Sequence, residues 1–463
     1  MATFQAPPPS EHQIRQPHWG YQTSLWQIGQ PSFWLFLLLL VGCGLVIVLF
    51  QAGFLGMTPL GWVLSWLLLL IYAVPVFIFV YVLDLYEREP VSLIVAALLW
   101  GALAATTMSI LGNQGWALVV FDVLDFETAS RWVAALTAPF VEEITKGMGV
   151  VLIYLMARRE VDDVMDGFVY GAMAGLGFTI IEDVFYFVNQ FGGTFEGILQ
   201  GFYVRVVAGG LYGHVLYSGL FGIGVAYFVS RRQEASFWRG FAVAAALIAA
   251  AIFAHFLWNS PLLDFFPQQL ESVVDYLQVI AATALKGIPF LLFLILMIAL
   301  ARRREHRWLR AALATELGKE GIQEQELATL QSPSARRQAR REMAARYGAT
   351  VGHTVRRLQR AQINLAMVAT RVQREDHPDL IRQRRYCKAL RDWILAHTAA
   401  ARPAAPAGGP YPPRTRPRRG GRRGGPGPPR SRWPRRTGSV RPGEGGPPGR
   451  PGPADGPSSA SSG

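Results

Sequence analysis

The chain has 463 residues, a hydrophobic fraction of 51% and a formal net charge of +13, averages that hide a sharp change of composition near Ala301. Before that point whole spans of about twenty residues run almost without charge, enough to cross ~30 Å of hydrocarbon, which excludes an ordinary soluble domain with polar positions at helical or strand period. The positive excess comes largely from beyond Arg302, and the cysteines, Cys43 and Cys387, exclude a disulfide framework and a cysteine metal site.

In chain order, a polar segment (1–32) precedes the first apolar span, so no cleavable signal peptide is expected. The membrane region, 33–301, reads as about eight spans: Phe33–Gln51, Gly61–Leu83, Val91–Leu111, Trp132–Met156, Gly167–Phe191, Val206–Val229, Gly240–Ser260 and Val279–Ala301. Gly115–Phe126 is apolar in part but carries Asp122 and Asp125, and reads as an interfacial loop. With an even count, Arg158/Arg159, Arg231/Arg232 and Arg302/Arg303/Arg304 share one side. Positively charged loops stay inside, so both termini are expected to be cytoplasmic.

The cytoplasmic region, 302–400, is expected to form helices over Trp308–Leu317, Ala335–Glu375 and Leu380–His397. Leu358, Ala361, Leu365, Val368 and Val372 recur at a/d spacing, so this piece should pack as a small helical hairpin or against a partner. Residues 401–463 are Pro, Gly, Arg and Ser with few aliphatics, and are expected to be disordered. Their charge suits anionic lipid, a reading favoured over nucleic acid because it explains the same charge with less. The fold class is therefore all-α: a polytopic transmembrane bundle, a helical extension and a basic tail. High Ala, Arg, Gly and Pro usage suggests a GC-rich bacterial source, hence a multi-pass protein of a bacterial plasma membrane; the oligomeric state is not indicated.

Ionisable groups at membrane depth are costly and mark function by default. The fourth span carries Glu142, Glu143 and Lys146, the fifth Glu182 and Asp183, the sixth His214 with Ser218, and the seventh His255 with Asn259. At ~1.5 Å per residue Glu143 lies about 18 Å from the outer end of its span, and His214 about nine residues into the sixth. Helices alternating in direction thus bring these groups to overlapping levels in the outer half of the bilayer. Adjacent Glu142 and Glu143 project about 100° apart, so one should face a reacting centre while the other pairs with Lys146, which stands at i,i+4 from Glu142. Such a set suits hydrolysis, with a carboxylate as general base and imidazoles binding a metal or donating to an oxyanion. The bland alternative is cross-helix hydrogen bonding with Ser218 and Asn259 as glue.

The segment Glu142-Glu143-Ile144-Thr145-Lys146 resembles the EExxK motif of the PrsW intramembrane proteases. Phe178 to Glu182 resembles their second motif, and His214 to Ser218 and His255 to Asn259 resemble their HxxxS/T and HxxxN motifs. Asp84 to Pro90 is similar to an acidic juxtamembrane signature of the same family, itself a distant relative of the CAAX prenyl-protein proteases. The resemblance implies an intramembrane endopeptidase cutting a membrane-anchored substrate, anti-sigma-factor-like, near its extracytoplasmic side. It implies Glu142 or Glu143 as general base, with His214, His255, Glu182 and Asn259 completing the site. Where the family has Glu-Asn, this chain has Glu182-Asp183, which adds a possible charge.

Zinc, on His214, His255 and Glu182, stays open at this level: the groups could hold it with a water position free, but the HExxH spacing of a zincin is absent. A proton- or ion-coupled transporter with a Glu/His relay is the alternative function. Transporters usually carry internal repeats, and none is visible, although Gly175 and Gly177 could mark a broken helix.

Overall fold

The computed structural model describes residues 25–83, 89–158, 161, 163–210, 212–230, 236–263, 270–372 and 374–400, and among these there are helices and no strand. Residues 1–24, Asp84, Glu87 and the tail 401–463 lie outside the described residues. The apolar runs form α1 (Pro31–Met57) and α2 (Pro59–Leu83), each opening on a proline, whose missing N–H is harmless at a helix start. Both present leucines and isoleucines outward, such as Leu38, Leu49 and Ile71, the surface that lipid would cover. Next come α3 (Val91–Leu99), a π-helical turn (Trp100–Ala105) and α4 (Thr106–Val123), together one apolar rod long enough to cross a membrane.

The interfacial loop expected at Gly115–Phe126 is instead the last turns of α4 and the start of α5 (Phe126–Met156). Asp122 is tolerated because it is exposed on the final turn of α4. Asp125 is there for capping: its carboxylate accepts from Thr128 N at 3.0 Å. A capping box of Asp163 and Asp166 starts α6 (Val164–Asn189). The expected span Val206–Val229 is broken. It comprises α7 (Phe195–Phe202), a π-helical turn (Tyr203–Ala208), a non-helical stretch holding Gly209, Gly210 and Gly213, and α8 (His214–Ser230). The glycines lower the helical preference there, and His214 consequently starts a helix rather than sitting mid-span. The bundle is completed by α9 (Phe237–Asn259) and α10 (Val273–Thr315).

Among the described residues, six helices are long and apolar enough to cross a membrane. The count of eight further depends on α5, which carries Glu142, Glu143 and Lys146, and on α8, whose 17 residues are short for a span. α6 is the axis of the bundle, buried along almost its whole length. A stripe of Gly167, Gly171 and Gly175 lets it approach α8 to backbone contact. An added Cβ would stand 2.2 Å from Gly222 O, 2.1 Å from Ser218 O and 2.3 Å from His214 O, respectively. This small-residue packing is how membrane helices come close without a hydrophobic driving force. Gly177 serves the same purpose against α3, its Cβ direction running to Leu98 O at 1.9 Å. Gly175 and Gly177 are therefore packing positions in an unbroken helix, not a break.

Beyond the membrane, Trp308–Leu317 is not a separate helix: α10 continues to Thr315, so the change of composition near Ala301 falls within one helix. α11 (Glu324–Leu330), α12 (Pro333–Tyr347), α13 (Ala349–Arg371) and α14 (Pro378–Ala400) follow. The helix expected over Ala335–Glu375 divides at Gly348, whose φ of 93° a side chain would resist. Leu358, Ala361, Leu365 and Val368 are buried, as their spacing required, in a core shared with Leu309 and Leu313 of α10 and Leu390 of α14. The hairpin of α13 and α14 closes on α10.

Candidate active site in the membrane bundle

The six residues singled out from the sequence converge. Glu143 on α5 is fully buried and sits at the centre: its Oε1 is 2.6 Å from Lys146 Nζ and 3.0 Å from His255 Nδ1, and its Oε2 accepts from Ser218 Oγ at 2.9 Å. A carboxylate only accepts, so His255 Nδ1 carries the proton and its Nε2 presents a lone pair. That lone pair lies 3.3 Å from Asn259 Nδ2 and 3.8 Å from Glu142 Oε2. His214, the first residue of α8, is fixed from both ends. Lys146 Nζ stands 2.8 Å from its Nδ1, and its Nε2 is 2.9 Å from Glu182 Oε2. An ammonium only donates, so Nδ1 accepts and Nε2–H donates to Glu182.

One sequence expectation is extended here and another changes. Lys146 pairs with Glu142 at i,i+4, at 3.8 Å, and more closely with Glu143 at i,i+3, at 2.6 Å. Glu142 and Glu143 do not point to separate regions: both reach the imidazole pair, which lies between their 100° directions, from different sides. Glu142 Oε1 accepts from Asn113 of α4 at 3.0 Å, whereas its Oε2 is buried without a hydrogen-bond partner.

A cavity of about 290 Å³ opens on this cluster, with Glu142, Glu182, His214, His255 and Asn259 in its wall beside Tyr217 and Trp258. That volume is far above the ~15 Å³ a single water needs. Tyr217 lies flat on His255, with ring centroids 5.0 Å apart and 14° between planes, which fixes the imidazole plane. Glu143 is behind His255, away from the cavity wall, as its complete burial requires.

Residues 89–307 match the family model for the PrsW family intramembrane metalloprotease. That stretch of the chain is similar to the PrsW family. No curated protein and no solved structure matches the chain. The PrsW match makes the membrane region an intramembrane peptidase domain of a multi-pass membrane protein, and it covers all four motif-bearing helices.

Three residues of the PrsW domain escaped the sequence reading. Arg205, on the second π-helical turn, donates to Glu182 Oε2 at 2.5 Å through Nη2 and to Asp183 through Nε, and its guanidinium lies 3.7 Å from the Tyr186 ring centroid. The extra charge at Asp183 is thus matched by Arg205. Asn113 orients Glu142. Lys286 of α10, buried, donates to Ser260 O at 2.9 Å and Trp258 O at 3.3 Å, capping the end of α9 that carries His255 and Asn259. Arg205 and Lys286 had a usable signal, a lone basic group at the head of or within an apolar span. Glu89 is buried and accepts from Tyr170, about 18 Å along α6 from Glu182, which gives it a packing role remote from the cavity.

The cluster also fits a metal. Glu142, His214 and His255 offer ligand atoms within 4.8 Å of one another. This trio differs from the expected His214, His255 and Glu182 in its carboxylate. The partnerless Glu142 Oε2 faces the His255 Nε2 lone pair, and Glu143 on His255 Nδ1–H is the outer carboxylate that commonly orients a metal-binding imidazole. Charge points the same way: Glu142, Glu143, Glu182 and Asp183 are offset within the cluster by Lys146 and Arg205 alone when both imidazoles are neutral. A divalent cation would restore neutrality in this low-dielectric setting.

Proposed function

We propose that this domain hydrolyses a peptide bond of a membrane-anchored, anti-sigma-factor-like protein in the cavity beside Glu142, near the extracytoplasmic side. The observation that carries the reading is Glu142 Oε2, buried without a hydrogen-bond partner and 3.8 Å from His255 Nε2, beside a cavity of about 290 Å³. Glu142, His214 and His255 would hold the divalent cation once Lys146 Nζ withdraws from His214 Nδ1 and frees its lone pair, zinc by its taste for imidazole and carboxylate; when bound, it would polarise water and the scissile carbonyl.

Glu182, the other carboxylate with an imidazole contact in the cavity wall, accepts the proton of the attacking water and is held for that task by Arg205 and His214. Asn259 Nδ2, beside His255, is placed to donate to the oxygen that gains charge as the carbonyl is attacked. Glu143 touches no substrate: it fixes the His255 tautomer and neutralises Lys146. Orientation rests on the loop arginines. The substrate class is supported by the family and by the apolar and aromatic wall, which suits a segment still within lipid.

The test is cleavage of a membrane-anchored substrate by the full-length protein in liposomes, with metal content measured alongside. Glu142→Gln should lose about 100-fold or more in rate and also lose metal. Glu182→Gln should lose a similar factor but keep metal, as general-base removal does. Glu143→Gln should fall by about 10–100-fold, as outer-carboxylate changes do. Full activity in Glu142→Gln ends the proposal. Full activity without metal in the wild type would move the base role from Glu182 to Glu142.

A further inference from the structure

The cytoplasmic helices divide their charge by side, a pattern the peptidase reading does not use. On the α14 side the acids are paired. Arg384 binds Glu316 at 2.7 Å and Glu375 at 2.6 Å, Arg391 binds Glu326 at 2.7 Å, and Lys388 binds Glu320 at 3.2 Å. On the α12–α13 side arginines face arginines. Gly352 of α13 lets α12 approach closely, its Cβ direction meeting Ala344 Cβ at 2.5 Å and Arg340 O at 3.2 Å. That contact sets Arg356, one turn on from Gly352, beside α12. Burial and the guanidiniums of Arg356, Arg337, Arg360 and Arg341 together push Arg340 below the ordinary arginine value. Arg337, Arg341 and Arg356 are exposed, and so are Arg303 and Arg307 on α10.

The place of this face decides its partner. Arg302 Nη2 donates to Leu83 O at 2.6 Å, which ties α10 to the cytoplasmic end of α2. His306 follows by about 6 Å of helix rise. Arg336, the fourth residue of α12, and Arg310 lie close enough to act on His306 electrostatically. The start of α12 is therefore held next to the ~5–7 Å headgroup layer rather than out in solvent.

We propose that α12, the first half of α13 and the emerging turns of α10 form a docking surface for anionic lipid headgroups of the bilayer that holds the protein. The guanidiniums converge on phosphate oxygens, and neutralising them relieves the repulsion around Arg340. The surface is distinct from the tail beyond residue 401, and it holds whether or not the domain cleaves peptides.

The test uses the full chain in nanodiscs of zwitterionic lipid and of zwitterionic lipid mixed with phosphatidylglycerol, with trypsin cleavage at Arg337, Arg341 and Arg356 as readout. Cleavage should be at least about ten-fold slower in the anionic discs, and added salt should abolish the difference. Arg337→Glu/Arg341→Glu, read at the one remaining site, Arg356, should be cut equally in both discs while Cys387, buried in the neighbouring core, stays closed to alkylation, which reports an intact fold. Equal cleavage of the wild type in the two discs overturns the proposal without any mutant. Protection by a short RNA duplex at physiological salt, with no effect of lipid charge, assigns the face to nucleic acid and overturns it as well.

Discussion

Arg205 is where single residues matter most. It holds Glu182 and Asp183 together, so Arg205→Met leaves two adjacent carboxylates with their shared cation gone. Losing one partner of a buried pair typically costs about 3–5 kcal/mol, and the partial exposure of these groups lowers that figure. Peptidase activity should drop sharply in Arg205→Met and recover in part in Arg205→Met/Asp183→Asn, where one surplus charge is gone. Strictly additive effects of the two substitutions on activity would refute the clamp. At this scale the sequence was informative about which groups gather and poor about who partners whom. Glu142, Glu143, Glu182, His214 and His255 were visible because charge and imidazole are rare in apolar spans, and Asn259 because it stands one turn on from His255. That Lys146 sits closer to Glu143 than to Glu142 was not, since both i,i+3 and i,i+4 are within reach of a lysine. Nor was the division of labour between the adjacent glutamates, which depends on where two rings from other helices come to lie.

The contact of α6 with α8 carries His214 and Ser218 into place, and it is set by glycine. Gly175→Ala would push its Cβ to 2.3 Å from His214 O, a backbone atom that cannot swing aside. Overpacking of this kind costs about 1–3 kcal/mol. Thermal stability in detergent should fall, and activity should fall further, because the displaced residue is part of the cluster. Gly42→Ala on α1, where nothing lies within 4 Å, is the matched control and should leave both unchanged. If Gly175→Ala behaves like Gly42→Ala, α6 and α8 are not packed as described. Helix existence was legible from apolar length alone, and so were most boundaries within a few residues. The exceptions have local causes: glycines before His214 that divide a span, a φ of 93° at Gly348 that divides a helix, and aspartates at 122 and 125 that suit a helix end and a cap as well as a loop.

Among the described residues the largest hydrophobic clusters lie one in the membrane region and one in the C-terminal helices, and the C-terminal one responds to acid. Hydrogen bonds from Lys319 and Arg384 hold Glu375 down to about 2 from an ordinary 4.5. A depressed carboxyl stabilises the fold fully above its unfolded value, and that contribution disappears as pH falls from about 4.5 towards about 2. Hydrogen exchange of α14 should accelerate over that window in the wild type. The dependence should flatten in Glu375→Gln, and an unchanged slope would show that other carboxylates govern it. The composition change near Ala301 announced two regions, but not that one helix belongs to both. Leu294 and Ala301 of α10 are buried in the membrane core, and Leu309, Ala312 and Leu313 in the C-terminal one. From Phe290 to Thr315 this helix has neither proline nor glycine. It is an axle without a universal joint, so twist applied at its wet end arrives undiminished at the end in lipid. One alanine inserted between Arg303 and Arg304 would rotate the two cores against each other by about 100° and misalign one of them. The same insertion after Gly318, off the axle, should be absorbed.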